Sequence, residues 1–387
     1  MFTRIEADGY RCLRSVDRTL TPFEILIGPN ASGKSTFLDV VPFLRDVITS
    51  GLEAAVEIRT GNFHDLVWGR KDGRFKLGVD LLIPEELRTA KPGFGGPNTI
   101  EYYLHVELDS STHKLRIAHE TVAVSHDGTL RTGIVDRTVG VSFEPETSSL
   151  YGMNRQDLHR NFSALNSLPT DTYFPATAWL RDQLRDGIRS VILDPEQLRK
   201  ASPPSTTAQS EMKGSYLVRA INQLLNANRV DFLEWLAHIR TVLPDIKDIR
   251  TVIREEDRHR YVMVDYENGI SVPSWMLSDG TLRLLALTIL AYLPDFNGVY
   301  LVEEPENGVH PAALQAIYDS LSSVYGGQVL ITSHSPVLLG LAKPEQLLCF
   351  SKTPTGVDII RGSEHQALRD WQGEVSLGVL AASGILG

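Results

Sequence analysis

Cysteine is nearly absent from this chain of 387 residues: there are two, Cys12 and Cys349, far apart. That excludes a disulfide framework and a cysteine-based zinc site, and it fits a reducing compartment. Long apolar runs are missing too. The longest, residues 284–293, is too short and too interrupted to span a bilayer, and residues 1–10 carry no apolar signal core. The expectation is a cytoplasmic chain with no membrane contact. Positive charge is in deficit, 38 Lys and Arg against 48 Asp and Glu, a formal net charge of -10. A uniformly acidic surface repels nucleic acid, so any DNA contact needs a local basic patch. Internal repeats and sustained heptads are also lacking, which excludes a long coiled coil. What remains is an ordinary globular composition, 42% hydrophobic and 22% charged, in a chain long enough for more than one core.

What is present centres on Gly28-Pro29-Asn30-Ala31-Ser32-Gly33-Lys34-Ser35-Thr36, a G-x-x-x-x-G-K-S phosphate-binding loop. The apolar run Phe23–Ile27 predicts a buried strand before it, and residues 35–41 predict a helix after it. The glycines let backbone N–H groups turn onto phosphate oxygens, and the new helix points its positive end the same way. Asn30, Ala31, Ser32, Gly33, Lys34, Ser35 and Thr36 are therefore the candidate nucleotide contacts. Lys34 adds a point charge near the β- and γ-phosphates, and the Ser35 hydroxyl serves Mg²⁺.

Ahead of the loop, residues 1–20 alternate loosely and predict two short antiparallel strands. Arg11 and Arg14 lie close before the loop; each either reaches the nucleotide or is a solvated strand residue. After the loop, Pro42 is expected to kink the helix. Strand patterns at 75–82, 99–108, 115–124 and 130–141, with an Asp127-Gly128 turn between the last two, predict an antiparallel sheet on the nucleotide core. From about Leu150 to Leu243 helical patterns dominate, at 178–192, 215–227 and 230–243, around a turn-rich stretch at 201–207. A hairpin at 246–255 and 260–266 follows. After it come an apolar helix at 282–293, the strand that begins at Val299, an amphipathic helix at 311–324, a buried strand at 328–332, and a tail of two strands and a short helix. The expected division is 1–145 for the first half of the nucleotide-binding head, 146–245 for a helical insertion and 246–387 for the second half.

The chemistry of phosphoryl transfer is positioning and charge neutralisation, and the second half supplies candidates. Glu303 ends a buried strand, where a carboxylate can hold Mg²⁺. Glu304 follows it on the other side of the strand end and can polarise an attacking water. His334 ends another buried strand; a lone histidine there is either structural or, in a setting Ile331-Thr332-Ser333-His334-Ser335-Pro336 that resembles a γ-phosphate sensor, functional. Ser278 and Gly280 open the apolar helix; Ser278 either caps it or, with its neighbouring N–H groups, forms an anion site. Two arginine runs are candidate DNA contacts: Arg181, Arg185 and Arg189 at helical spacing, and Arg250, Arg254, Arg258 and Arg260. Acidic residues interleave both, and solvated faces are the better reading.

The order of these motifs resembles the ABC-type ATPase head: phosphate loop at Gly28–Thr36, signature at Leu277–Thr281, carboxylates at Glu303 and Glu304, switch histidine at His334. Glu306 to Pro311 falls where that family has its dimer-contact loop. The Glu-Glu-Pro-Glu-Asn-Gly-Val-His-Pro segment, and Gly9 to Ser15 with Arg11, look like the SMC/RecF/OLD-type branch rather than transporters. The signature departs from the family in having Asp279 where glycine is usual, and no glutamine stands near His64 and Asp65. The stretch between Lys34 and Ser278 is too long for a transporter subunit and too short for SMC arms. With few residues after His334, the expectation is a head without the Toprim nuclease of OLD-type proteins. The resemblance implies an α/β fold, an ABC-ATPase head with a phosphate-loop core of mixed sheet, an antiparallel β subdomain and a helical insertion. It implies ATP and Mg²⁺ as ligands and a head-to-tail homodimer, in which ATP on Lys34 of one copy is completed by Ser278 and Gly280 of the other. Hydrolysis would then switch quaternary structure. A separately encoded effector in anti-phage defence is the favoured partner; a DNA-binding ATPase of recombination or repair is the alternative.

Overall fold

The computed structural model describes residues 1–89, 98–126, 130–137, 141–143, 146, 153–155, 161–168, 173–204, 211–212, 216–294, 296–369, 371, 373 and 375–386. The Asp127-Gly128 turn and residues 205–207 of the turn-rich stretch lie outside them. The chain forms two compact units, one from residues 1–21, 30–188 and 350–359, the other from 22–29, 189–349 and 360–387.

The first unit is built on an eight-stranded sheet in the order 13–19, 2–10, 74–82, 99–108, 115–126, 130–137, 141–143, 153–155. Every strand pairing in it, among the described residues, is antiparallel. The alternation read in the sequence is the reason: Ile5 and Ala7 of one strand, and Leu77, Val79 and Leu81 of its neighbour, are all fully buried. The helix Lys34–Ser50 covers this face with Phe37, Val40, Val41, Phe43, Leu44 and Val47. Tyr10, Phe43 and Phe75 meet there with ring centroids 5.0–5.7 Å apart. Pro42 does not interrupt the helix, which runs through it to Ser50. Proline removes one backbone hydrogen bond, and burial of Val40, Val41, Phe43 and Leu44 on both sides of it holds the turn.

The expected helix at 178–192 is also different. The helix is Pro175–Asp186, ended by Gly187, and Ile188–Val191 is a strand. Gly187 breaks the run, and β-branched Ile188 and Val191 then bury themselves in sheet geometry. Arg189 is therefore not on a helical stripe with Arg181 and Arg185.

The other large sheet, most of it in the second unit, is seven-stranded, in the order 211–212, 188–191, 299–303, 328–332, 23–27, 347–353, 356–361. Strands Val299–Glu303, Gln328–Thr332, Phe23–Ile27 and Leu347–Thr353 pair in parallel. They read as continuous apolar runs because a parallel sheet is covered on both faces. One buried charge breaks the pattern: Glu24 is 0% exposed and accepts from Arg361 Nη2 at 3.0 Å and Nη1 at 3.3 Å. Helices Tyr216–Ala227, Arg229–Arg240, Asp279–Thr288 and Leu314–Ser322 share the core of this unit. Trp235 is fully buried there, its indole N–H donating to Thr288 Oγ1 at 3.0 Å. Each fully buried Leu, Ile or Val in such a core contributes roughly 1.5–3 kcal/mol. The apolar run at 282–293 is α-helical only from Asp279 to Thr288 and tightens to a 3-10 turn over Ile289–Tyr292. A small antiparallel sheet, Ile246–Ile253, Arg260–Tyr266 and Ser271–Pro273, completes the unit. No helix among the described residues is long and apolar enough to cross a membrane.

Candidate active site

The phosphate loop follows directly on the Phe23–Ile27 strand, which pairs on both sides within the parallel sheet; strand ends of this kind are the usual place for ligands in such folds. Gly28 and Pro29 belong to the second unit, and Asn30 to Thr36 to the first. Gly33 caps the helix in the left-handed region at φ 100, and a Cβ there would meet Cys12 Sγ and Val357 Cγ2 at 3.1 Å. Only glycine fits. Ala31 is also left-handed, at φ 58. Asn30, Ala31 and Ser35 are exposed, Thr36 is half-buried, and Ser32 and Lys34 are buried. Among the described residues, the helix has no side-chain N-cap and the buried Ser32 Oγ has no hydrogen-bond partner. An orphaned hydroxyl, a glycine cradle and an uncapped helix start fit a bound phosphate chain.

Behind the loop, the same helix carries a buried ionic cluster. Asp39 accepts from the Tyr10 hydroxyl at 2.6 Å and from Arg59 Nε at 2.8 and 2.9 Å. Arg59 also donates to Asp46, at 2.8 Å. Burial pushes the Tyr10 hydroxyl well above its usual pKa, and the Asp39 charge adds to this. Burial works against the Arg59 charge, but its bonds to Asp39 outweigh that and hold its pKa above the ordinary value. Arg11, at φ 51, donates its N–H to Leu66 O at 2.8 Å and places Nη1 3.8 Å from Asp39. Its ion partner is thus this carboxylate. Arg14 lies over the Trp68 ring at 5.0 Å.

In the second unit the parallel strands bring the other candidates to one edge. Glu303 is the last residue of its strand and pairs in register with Thr332. Glu304 follows in the left-handed region, at φ 46. That conformation costs a residue with a Cβ about 1–2 kcal/mol. It is held by Glu304 N–H donating to Thr332 O at 2.9 Å and lying 3.3 Å from Thr332 Oγ1. The turn aims the carboxylate at His334, with Oε1 3.9 Å from Nε2, while Asn307 Nδ2 donates to Oε2 at 2.5 Å. Such a strained backbone at a chemically capable side chain is a mark of functional sites. A cavity of about 210 Å³ lies against Gly28, Pro29, Ser333 and His334 and is closed by Ala381, Ala382, Gly384 and Leu386 of the tail.

Ser278 caps the Asp279–Thr288 helix, accepting from Thr281 N–H at 3.1 Å. Gly280 packs on the Glu306–Pro311 loop: a Cβ there would sit 3.1 Å from Gly308 O. Among the described residues no hydrogen bond or ion pair joins Ser278 or Gly280 to Glu304 or His334. Asp279 is paired with Arg199, whose Nη2 also donates to Leu277 O at 3.1 Å.

A family model described as "AAA domain, putative AbiEii toxin, Type IV TA system" matches residues 24–340. The chain belongs to this AAA family. No curated protein matches it. Among solved structures, it is similar to an Smc head bound to the C-winged helix domain of ScpA. That similarity has TM-score 0.60 and 11% identity, over 93% of this chain and 97% of that one. It is also similar to an Smc head domain with an extended coiled coil bound to the C-terminal domain of ScpA, from Pyrococcus furiosus. Here the TM-score is 0.53 at 11% identity, over 93% and 95% of the two chains. The fold is that of an ABC-type ATPase head of the SMC-like branch.

For this AAA-family chain, reasoning from sequence missed three residues of the site. Thr332, which holds Glu304, looked like one more strand residue. Arg199, which pairs with Asp279, belongs to no motif. Glu306 was visible only as part of a contact loop. The tail residues that close the cavity had no motif to announce them.

Proposed function

We propose that the chain is an Mg²⁺-dependent ATPase whose ATP-bound heads pair head-to-tail, and whose hydrolysis cycle switches a separately encoded effector in anti-phage defence. The observation that carries this reading is the Glu304–His334 pair, 3.9 Å apart, at the ends of two neighbouring strands, one of which, Gln328–Thr332, pairs with the strand that leads into the phosphate loop. Lys34, the loop N–H groups and the Ser32 hydroxyl bind the phosphates. Ser35 and Glu303 would hold Mg²⁺, which supplies neutralisation of charge on the β- and γ-oxygens. Glu304 takes the proton of the attacking water, and His334 orients the γ-phosphate. In the paired form, Ser278 and Gly280 of the second copy present a helix N-terminus to the same phosphate.

The family description, with its toxin–antitoxin label, supports an effector and a defence setting, and the Smc heads solved with ScpA domains bound support a protein partner. The DNA-binding alternative has no comparable support. Arg181, Arg185, Arg250 and Arg254 each carry an aspartate partner, and Arg189 stacks over Phe296 at 4.0 Å.

Glu304→Gln should bind ATP and lower kcat by about 10²–10⁴-fold, and should come out of its native host, with ATP and Mg²⁺, carrying a stoichiometric protein. Lys34→Ala should carry none. Nuclease-sensitive DNA on the stalled protein in place of a protein would establish the alternative. A Ser278→Arg variant with normal turnover would remove the paired-head step.

A further inference from the structure

The dimer-contact loop expected at Glu306 to Pro311 begins with a carboxylate that does something else in this structure. Glu306 Oε1 accepts three hydrogen bonds, from Ser333 Oγ at 2.8 Å, His334 N–H at 2.7 Å and Ser335 N–H at 3.0 Å. Ser333 Oγ in turn accepts from Ser335 N–H at 3.0 Å. The three donors are consecutive residues of the switch-histidine segment. That segment has no regular structure between the strand ending at Thr332 and the helix starting at Pro336. Ser333 N–H also donates to Leu26 O at 3.1 Å, and Ser335 Oγ caps the following helix, accepting from Leu338 N–H at 3.3 Å. The second carboxylate oxygen, Oε2, is buried and has no hydrogen-bond partner among the described residues. One carboxylate oxygen therefore gathers the whole segment, through bonds of the charge-assisted kind that are shorter and stronger than neutral ones.

The chain geometry gives this clamp a direction. Glu306 stands two residues after Glu304, in a turn closed by Asn307 N–H donating to Glu304 O at 3.0 Å. The Asn307 side chain meanwhile donates to the Glu304 carboxylate. The turn that sets Glu304 and the carboxylate that sets His334 are thus one piece of backbone. We propose that Glu306 is the positioning residue of this site: it locks the His334 segment to the Glu304 turn, so that the two side chains hold their mutual distance through the nucleotide cycle. Its expected signature is a loss of turnover without a loss of nucleotide binding, because none of its bonds goes to the phosphate loop.

This inference rests on the ATPase reading above, and the experiment separates the two. Amide hydrogen exchange at Ser333–Ser335 is measured on nucleotide-free full-length protein and on Glu306→Ala. The clamp predicts protection in the parent and exchange at least about tenfold faster in the variant. Equal exchange overturns the inference whether or not the chain hydrolyses ATP. Turnover and binding of a non-hydrolysable ATP analogue are then compared for the parent, Glu306→Ala and Glu306→Gln. In Glu306→Ala, kcat should fall by about 10–100-fold while analogue affinity stays within about threefold. Glu306→Gln keeps an acceptor oxygen in place and should recover most of kcat. A parent that hydrolyses ATP and a Glu306→Ala variant that does so equally well overturn the positioning role. So does a Glu306→Ala variant whose affinity and melting temperature fall along with kcat, since that is the behaviour of a purely structural residue. A parent that fails to hydrolyse ATP, with the exchange difference intact, counts against the ATPase reading and not against the clamp.

Discussion

Replacing Arg361 by alanine should weaken the strand that delivers the phosphate loop. Glu24 is the second residue of that strand, opposite Leu330 of the neighbouring strand, and is 0% exposed. Arg361 supplies it with two hydrogen bonds, at 3.0 and 3.3 Å, and donates a third at 2.7 Å to Glu345 O. Arg361→Ala strips a buried carboxylate of its guanidinium, a change that costs about 3–5 kcal/mol. The lost carbonyl bond adds about 1 kcal/mol. Together these are about 4–6 kcal/mol, and for a unit of this size the melting temperature should drop by roughly 8–24 °C. Removing both partners should be far milder: Glu24→Leu with Arg361→Met should recover most of the loss, since a well-packed apolar pair replaces a buried ion pair at little cost. The assay is calorimetry beside far-UV circular dichroism, which reports whether the two units melt together. A loss below about 1 kcal/mol in Arg361→Ala, or a double variant less stable than the single, would refute the reasoning.

Gly33→Ala should lower affinity for an ATP analogue by at least about tenfold in titration calorimetry. The reason is the φ of 100 and the 3.1 Å approach of Cys12 and Val357; unchanged affinity would mean that the cradle is not the phosphate site. The two thiols should differ as well. Burial pushes Cys349 up from 9.0 to about 12, so a thiol reagent at neutral pH should modify the partly exposed Cys12 first and reach Cys349 only in denaturant, as peptide mapping would read. Because the raised pKa belongs to the folded state, the stability that Cys349 contributes is complete below pH 9.0 and lost as pH rises toward about 12. Early labelling of Cys349 would contradict its burial.

The parallel strands of the second unit were legible because buried strands of a parallel sheet are continuous apolar runs with sharp ends. Phe23–Ile27 and Gln328–Thr332 are where the pattern puts them. Alternation did the same for Thr99–Leu108. The arginine at 189 was misplaced because a helical period can run on paper through a glycine that ends the helix in space. Pro42 was over-read for the opposite reason: tertiary burial of the residues around it outweighs the single hydrogen bond it removes. At the site, residue types were legible and conformations were not. Nothing in Glu303-Glu304-Pro305 announces a left-handed Glu304, because that backbone is imposed by Thr332, which lies 28 residues away in sequence. Asp279 read as a departure, since its partner Arg199 lies 80 residues away.

That last pairing carries a rule for anyone who cuts and rejoins this chain. An acid inside a signature looks like a lesion, and the obvious repair is to restore the glycine. Here the acid is half of a lock whose other half sits in a segment with no motif at all. Arg199 ties that segment to the first turn of the signature helix through both Asp279 and Leu277 O. A chimera that takes the signature from a relative and keeps residues 189–204 strands a guanidinium; one that swaps 189–204 alone strands a carboxylate. The two stretches form a single heritable part, to be moved together or left in place.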